Sequence, residues 1–83
     1  MMTATKDRRY NGHKNWDYWN VSLWINNDYG LYQSALDCVR VSATKTLAAH
    51  RLLDDLHGMG VHKTPDGARY TMPNIRAAMS EMQ

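Results

Sequence analysis

Three tryptophans lie close together in this chain of 83 residues, at Trp16, Trp19 and Trp24. A domain this small buries only about 60 to 65% of the surface of its unfolded chain, so large side chains must supply much of its core. Each aromatic side chain can bury roughly 150 to 250 Å². Trp16, Trp19 and Leu23 recur at helical spacing and share one face. The pattern predicts indoles packed in the core, with Trp24 the most exposed, rather than a platform for stacking single-stranded nucleic acid.

Capping residues and apolar spacing define the first two predicted helices. The first begins after the N-cap Asn15 and ends near Asn26 and Asn27. It carries two apolar faces, which predicts a helix that its neighbours cover on most sides. Asp28 is the expected cap of the second helix, which runs to Val41 along one continuous apolar stripe.

The second half of the chain combines a long helix, a loop and a short helix. Ser42 is the expected cap of the third helix, which ends at Gly58. In the following loop, the segment 64–67 reads Thr-Pro-Asp-Gly, a pattern typical of a type I turn, and a minor hairpin can form near 61–70. Pro73 stands where a fourth helix begins, and that helix is short.

These elements predict a mainly α fold, a small bundle of three main helices plus a short C-terminal helix. Residues 15–83 form the single helical domain. Residues 1–14 lack apolar periodicity, and we interpret them as a flexible basic arm. The net charge of the whole chain is only +2, which is typical of a nearly neutral domain. A domain that binds duplex DNA usually carries many basic residues on one folded face, and this charge does not predict such a face.

Cysteine content and hydropathy limit where such a chain can work. Cys38 is the one cysteine, which excludes an intramolecular disulfide and a zinc site of the Cys-x-x-Cys type. No apolar run approaches the roughly 18 residues of a membrane span, and the first residues lack the apolar stretch of a signal peptide. We expect a cytoplasmic protein that does not bind membranes.

The sequence gives only weak signals for a metal-binding, phosphate-binding or catalytic site. His50, Asp54 and His57 project from one helical face, and His62 or His13 could complete a metal site, but an ordinary solvated face gives the same spacing. The glycines that precede Lys63 lack the spacing of a phosphate-binding loop. No serine or cysteine stands in a recognisable nucleophile arrangement. The sequence therefore predicts no enzyme, no catalytic residue and no cofactor.

The segment 15–32 resembles a motif of small uncharacterised proteins from phages, plasmids and related bacterial islands. That motif runs Asn, an acidic residue, Trp-x-Val-x-Leu-Trp, then Asn-Asp and a Tyr shortly after. The matching residues here are Trp19, Val21, Leu23, Trp24, Asn27, Asp28 and Tyr32. The resemblance implies an accessory protein of a mobile element in a bacterial cytoplasm. By analogy of size, it favours an inhibitor of host defence such as an anti-CRISPR or anti-restriction protein.

We therefore expect binding to a host or phage protein, with homodimerisation through a leftover apolar stripe as a further possibility. The expected partner-binding residues are Trp24, Asn26, Asn27, Asp28, Tyr29, Arg40 and Arg51. The alternative is a nucleic-acid-associated regulatory accessory protein. Its expected contacts are Lys6, Arg8, Arg9, Lys14 and Lys45. Methionines near the C-terminus fit a loosely packed helix or an adaptable interface.

Overall fold

The computed structural model describes residues 15–80 and residue 82. Within them lie four helices, and their bounds are α1 Trp16–Asn27, α2 Tyr29–Val41, α3 Lys45–Gly58 and α4 Met72–Met79. The predicted mainly α fold, with three main helices and a short C-terminal helix, is confirmed. The predicted arm at 1–14 lies outside the described residues. None of the helices in the described part is long and apolar enough to cross a membrane.

Side-chain caps set the helix starts. Asn15 Oδ1 accepts a hydrogen bond from the backbone N–H of Tyr18, and Asp28 Oδ1 accepts one from that of Leu31, as predicted for both caps. The prediction that Ser42 caps the third helix is wrong. Thr44 has this role, and its Oγ1 accepts from the N–H of Leu47.

Ser42 fails as a cap because it still belongs to the end of α2. It is the C-terminal flanking residue of that helix, and residues 42–44 bend before α3 begins. Its Oγ is buried without a hydrogen-bond partner among the described residues. A cap has to face the N–H groups of the helix that follows, and only Thr44 is close enough along the chain to do so.

The four helices pack in a ring. Helix α1 packs against α2 and α4, and α3 packs against the same two helices. In the described part of the chain, α1 and α3 do not pack against each other, so they lie diagonally across the bundle. Their outward faces therefore point to opposite sides of the molecule.

The core is mostly aliphatic, with Tyr70 as its one aromatic member among the described residues, and it contains no tryptophan. Its buried members are Val21, Ile25, Ala35, Cys38, Ala48, Ala49, Leu52, Leu56, Ala68, Tyr70, Ile75, Ala78, Met79 and Met82. The prediction of a tryptophan core is wrong, because all three indoles are at least partly exposed. Trp16, at 38%, is the most exposed of them, whereas the sequence predicted Trp24. Every residue of α1 from Tyr18 to Ile25 is buried or half-buried, in line with the prediction of a helix that is covered on most sides.

The loop at 59–71 forms a compact turn. Gly60 and Gly67 adopt φ angles of 78° and 100°, in the left-handed region where a Cβ is strained. Gly67 N–H donates to Thr64 O at 2.9 Å, which closes the predicted turn. The minor hairpin expected at 61–70 is reduced to one antiparallel bridge between Lys63 and Arg69.

Candidate partner-binding surface

The phase of α1 decides which of its two apolar faces is buried. Asn20, Val21 and Ile25 point into the bundle and are at most 1% exposed. Because each residue turns an α-helix by about 100°, Trp16, Trp19 and Leu23 lie on the opposite side. We call these three residues the outer α1 face. Trp16 is 38% exposed, and Trp19 and Leu23 are half-buried.

The outer α1 face is separate from the core. The partly buried apolar side chains that pack against the core are Leu31, Tyr32, Leu36, Val39, Leu53 and Met72, and no residue of the outer α1 face is among them. Two indoles and a leucine are thus turned away from the bundle. Large aromatic side chains in such positions are typical of protein interaction surfaces.

A hydrogen-bond network at the inner edge of α1 holds the loop in place. Asn20 Nδ2 and Trp24 Nε1 both donate to Asp66 Oδ2 at 2.9 Å. Thr64 Oγ1 donates to Asn20 Oδ1 and accepts from the N–H of Ala68 at 3.0 Å. The hydrogen bond from Asn20, followed by that from Trp24, lowers the pKa of Asp66 below its ordinary value of 3.8.

Several predicted contact residues have internal roles. Trp24 is half-buried and its indole N–H is engaged by Asp66. Asp28 caps α2, and Asn26 Nδ2 donates to Ser22 O at 2.8 Å. Asn27 and Tyr29 remain exposed, Tyr29 to 78%.

The predicted contact residues do not form one cluster. Asn26 to Tyr29 stand together at the junction of α1 and α2. Arg40 lies eleven residues beyond Tyr29 on α2, about 16 Å along the axis at 1.5 Å per residue. Its Nη1 lies 3.9 Å from Asp37 Oδ1. Arg51 is exposed on α3, which does not pack against α1. The structure therefore divides the set into a junction group and two distant arginines.

The residues of the nucleic-acid alternative are placed only in part. Lys6, Arg8, Arg9 and Lys14 lie outside the described residues. Lys45 is half-buried, and its Nζ donates to Ser80 O at 3.1 Å near the end of α4. This ammonium group therefore already stabilises a helix end.

The three histidines that the structure describes take part in two separate contacts, and His13 lies outside the described residues. His50 Nδ1 lies 3.1 Å from Asp54 Oδ2, while the ring of His57 lies 4.7 Å from that of His62. Across residues 15–80 and 82, no three His, Cys, Asp or Glu side chains are placed to hold a metal ion. The metal hypothesis on His50, Asp54 and His57 thus gains no geometric support.

Cys38 is buried in the core beside α3. Burial raises the pKa of its thiol, and the carboxylate of Asp55 raises it further. Nucleophilic cysteines need a lowered pKa and access to substrate. The surroundings of this thiol are those of a structural cysteine.

A model of a protein family of unknown function, DUF7249, matches residues 6–83. The chain belongs to this family. No curated protein and no solved structure matches it significantly. The DUF7249 match includes all four helices and the outer α1 face, so these features belong to the part of the chain that the family model spans.

Sequence reasoning on this DUF7249 chain missed the network of Asn20, Thr64 and Asp66. The Thr-Pro-Asp-Gly turn was recognisable, but its partner on α1 is more than 40 residues away in the chain. One signal was available. Asn20 stands between apolar residues in α1, and a buried amide requires partners for both of its polar atoms.

Proposed function

We propose that this chain is an accessory protein of a phage or plasmid that acts in the bacterial cytoplasm by binding another protein. The target we favour is a host defence system, and the effect is inhibition by steric occlusion, as for an anti-CRISPR or anti-restriction protein. The observation that supports binding is the outer α1 face, formed by Trp16, Trp19 and Leu23. The choice of target depends on the motif resemblance alone.

The fold accounts for only some residues of the Asn…Trp-x-Val-x-Leu-Trp motif. Four of them have internal roles in the core, in a cap or in the loop network, namely Val21, Trp24, Asp28 and Tyr32. Trp19 and Leu23 have none of these roles. Partly accessible aromatic side chains outside the core favour contact with another protein.

The chemistry of the outer α1 face suits a protein partner. Trp is enriched among residues that dominate binding energy, and its ring contributes a large area with little loss of conformational entropy. The exposed side chains of Asn27 and Tyr29 stand near the C-terminal end of the same helix. An apolar centre with a polar edge is the usual composition of a protein interface.

The proposal is tested by affinity capture from a bacterial host with the full chain as bait. The variants Trp16→Ala and Trp19→Ala should lose the captured protein, because truncation of a central interface tryptophan costs about 2 kcal/mol or more, or roughly thirtyfold in Kd. Ser34→Ala, an exposed position on α2, is the matched control. Circular dichroism and thermal unfolding verify that all three variants fold.

The identity of the captured protein separates the functional alternatives. A nuclease or defence complex supports counter-defence, whereas polymerase or replication proteins support regulation of the element itself. Equal capture by the wild type, both Trp variants and Ser34→Ala contradicts the proposed surface. A second copy of the chain as the only captured protein would assign the face to homodimerisation.

The nucleic-acid alternative has one observation in its favour. Trp16 and Trp19 are partly accessible, and bases can stack on such rings at ~1 to 3 kcal/mol each. Binding to a labelled oligonucleotide should then weaken steeply with added salt, with a logarithmic slope near −0.7 per phosphate contacted on a single strand. A protein-binding inhibitor has no such oligonucleotide affinity.

A further inference from the structure

The chain reverses direction directly after α3, in a turn of the Schellman type. Gly60 N–H donates to His57 O at 3.0 Å, and Val61 N–H donates to Leu56 O at 2.9 Å, which is the hydrogen-bond pattern of that motif. Gly60 allows the reversal because its φ of 78° lies in the left-handed region. The turn therefore carries the following residues back toward the last turn of α3.

This turn brings two exposed imidazole rings together. The ring centres of His57 and His62 lie 4.7 Å apart, and the ring planes meet at 39°. Aromatic pairs held by packing alone prefer an offset parallel stack or an edge-to-face contact, and an angle of 39° is neither. The backbone of His62 is also held, because its O accepts from the N–H of Tyr70 at 3.0 Å. The fold thus brings both rings together before any ligand binds.

The spacing of the two rings matches that of two ligands on one metal ion. A zinc ion lies about 2.0 to 2.1 Å from a ligating histidine nitrogen, and hence roughly 3.2 Å from the centre of that ring. Two such ligands at an angle of about 90° to 109° have ring centres roughly 4.5 to 5.2 Å apart. The observed separation of 4.7 Å lies within this range. Imidazole nitrogens are ligands that suit zinc, nickel and copper.

The electrostatic surroundings of the ring pair suit a cation. His57 lies in the last turn of α3, where the partial negative charge at the C-terminal end of a helix favours positive charge. Asp54 and Asp55 add two carboxylates on the same helix. Lys63 follows His62 in an extended segment that pairs with the arm at Arg69. Successive side chains of such a segment point to opposite sides, which directs the ammonium group away from the His62 ring.

We propose that His57 and His62 form a binding site for a divalent transition metal ion such as zinc, nickel or copper. Among residues 15–80 and 82, no third His, Cys, Asp or Glu side chain is placed to join them, so the other coordination positions are open to water or to a group of another molecule. The sequence associated His57 with His50, which lies seven residues earlier and about 10 Å away along the helix axis. The site uses no residue of the outer α1 face.

The test is a zinc titration of the tag-free, isotope-labelled full chain, followed through the ring signals of its four histidines in NMR spectra. We expect the signals of His57 and His62 to shift together and to saturate at one zinc ion per chain. His57→Ala and His62→Ala should each weaken zinc binding at least tenfold, because even the loss of a second-shell partner costs about 10- to 100-fold. His50→Ala removes an exposed histidine from the same helix and is the matched control, which should bind zinc as the wild type does.

Further measurements make the result decisive. Magnesium prefers oxygen ligands and should leave all four ring signals unchanged. Trp19→Ala should bind zinc normally, so failure of the α1 proposal and failure of this one are distinguishable. Circular dichroism verifies that each variant folds. The metal-site proposal is overturned by absence of saturable ring shifts with zinc, by shifts of His13 or His50 as large as those of His57 and His62, or by equal loss of zinc binding in His50→Ala and His62→Ala.

Discussion

Replacement of Asn20 by alanine removes the centre of the network that holds the 59–71 loop against α1. Asn20 is 1% exposed, its Oδ1 accepts from Thr64 Oγ1, and its Nδ2 donates to Asp66. The variant loses both hydrogen bonds. It also leaves the hydroxyl of Thr64, a residue only 4% exposed, without its acceptor.

The expected cost follows from burial. A typical hydrogen bond contributes about 1 kcal/mol net, and a buried polar group left without a partner costs about 1 to 3 kcal/mol. We therefore expect Asn20→Ala to lower the free energy of unfolding by about 2 to 4 kcal/mol. At about 4 to 8 °C per kcal/mol for a domain of this size, Tm should fall by roughly 10 to 25 °C.

Asn26→Ala provides the matched control. It is the same substitution in the same helix, so the gain in helix propensity from Asn to Ala affects both variants. Asn26 is exposed and bonds only within α1, to Ser22. Its cost should stay within about 0.5 kcal/mol. Urea unfolding followed by circular dichroism measures both variants, and equal midpoints would refute the reasoning that the Asn20 network stabilises the fold.

The pKa shifts lead to two more predictions. Hydrogen bonds from Asn20 and Trp24 lower the pKa of Asp66, so its stabilising effect is complete above the ordinary value of 3.8 and is lost as pH falls through the lower pKa of the folded state. Asp66→Asn should therefore flatten the acid limb of the stability curve, and an unchanged acid limb in urea titrations at several pH values contradicts this. Burial and, to a lesser extent, the carboxylate of Asp55 raise the pKa of Cys38, and burial also shields its thiol. A disulfide reagent at pH 8 should therefore modify this thiol far more slowly in native protein than in urea. Equal absorbance traces in the two conditions would show that the thiol is accessible.

Helix boundaries were predictable because their signals are local. The caps Asn15 and Asp28 and the stop at Gly58 depend on side chains within a few residues of the helix ends they define. The third helix shows the limit of local signals. Ser42 and Thr44 have equivalent hydroxyls, and the difference between them is the bend at 42–44 that follows from packing α3 against α2.

The candidate surfaces were harder to predict. Tyr29 and Arg51 were correctly expected to be exposed. Trp24 was assigned to a partner, and its indole N–H instead bonds to Asp66, 42 residues away in the chain. Val41 and Leu47 are apolar residues near helix ends, and only the tertiary structure shows that both are exposed beside an open groove.

The sequence by itself determined the number of helices and most of their ends, because capping and periodicity act over one or two turns. It also placed two apolar faces on α1, but it did not determine which one is buried. The tertiary structure decided that by matching Asn20 to Thr64 and Asp66 in a distant loop. A buried amide must have its hydrogen bonds satisfied, whereas tryptophan can remain partly in water at modest cost, so the face with Asn20 turned inward and Trp16 and Trp19 turned outward.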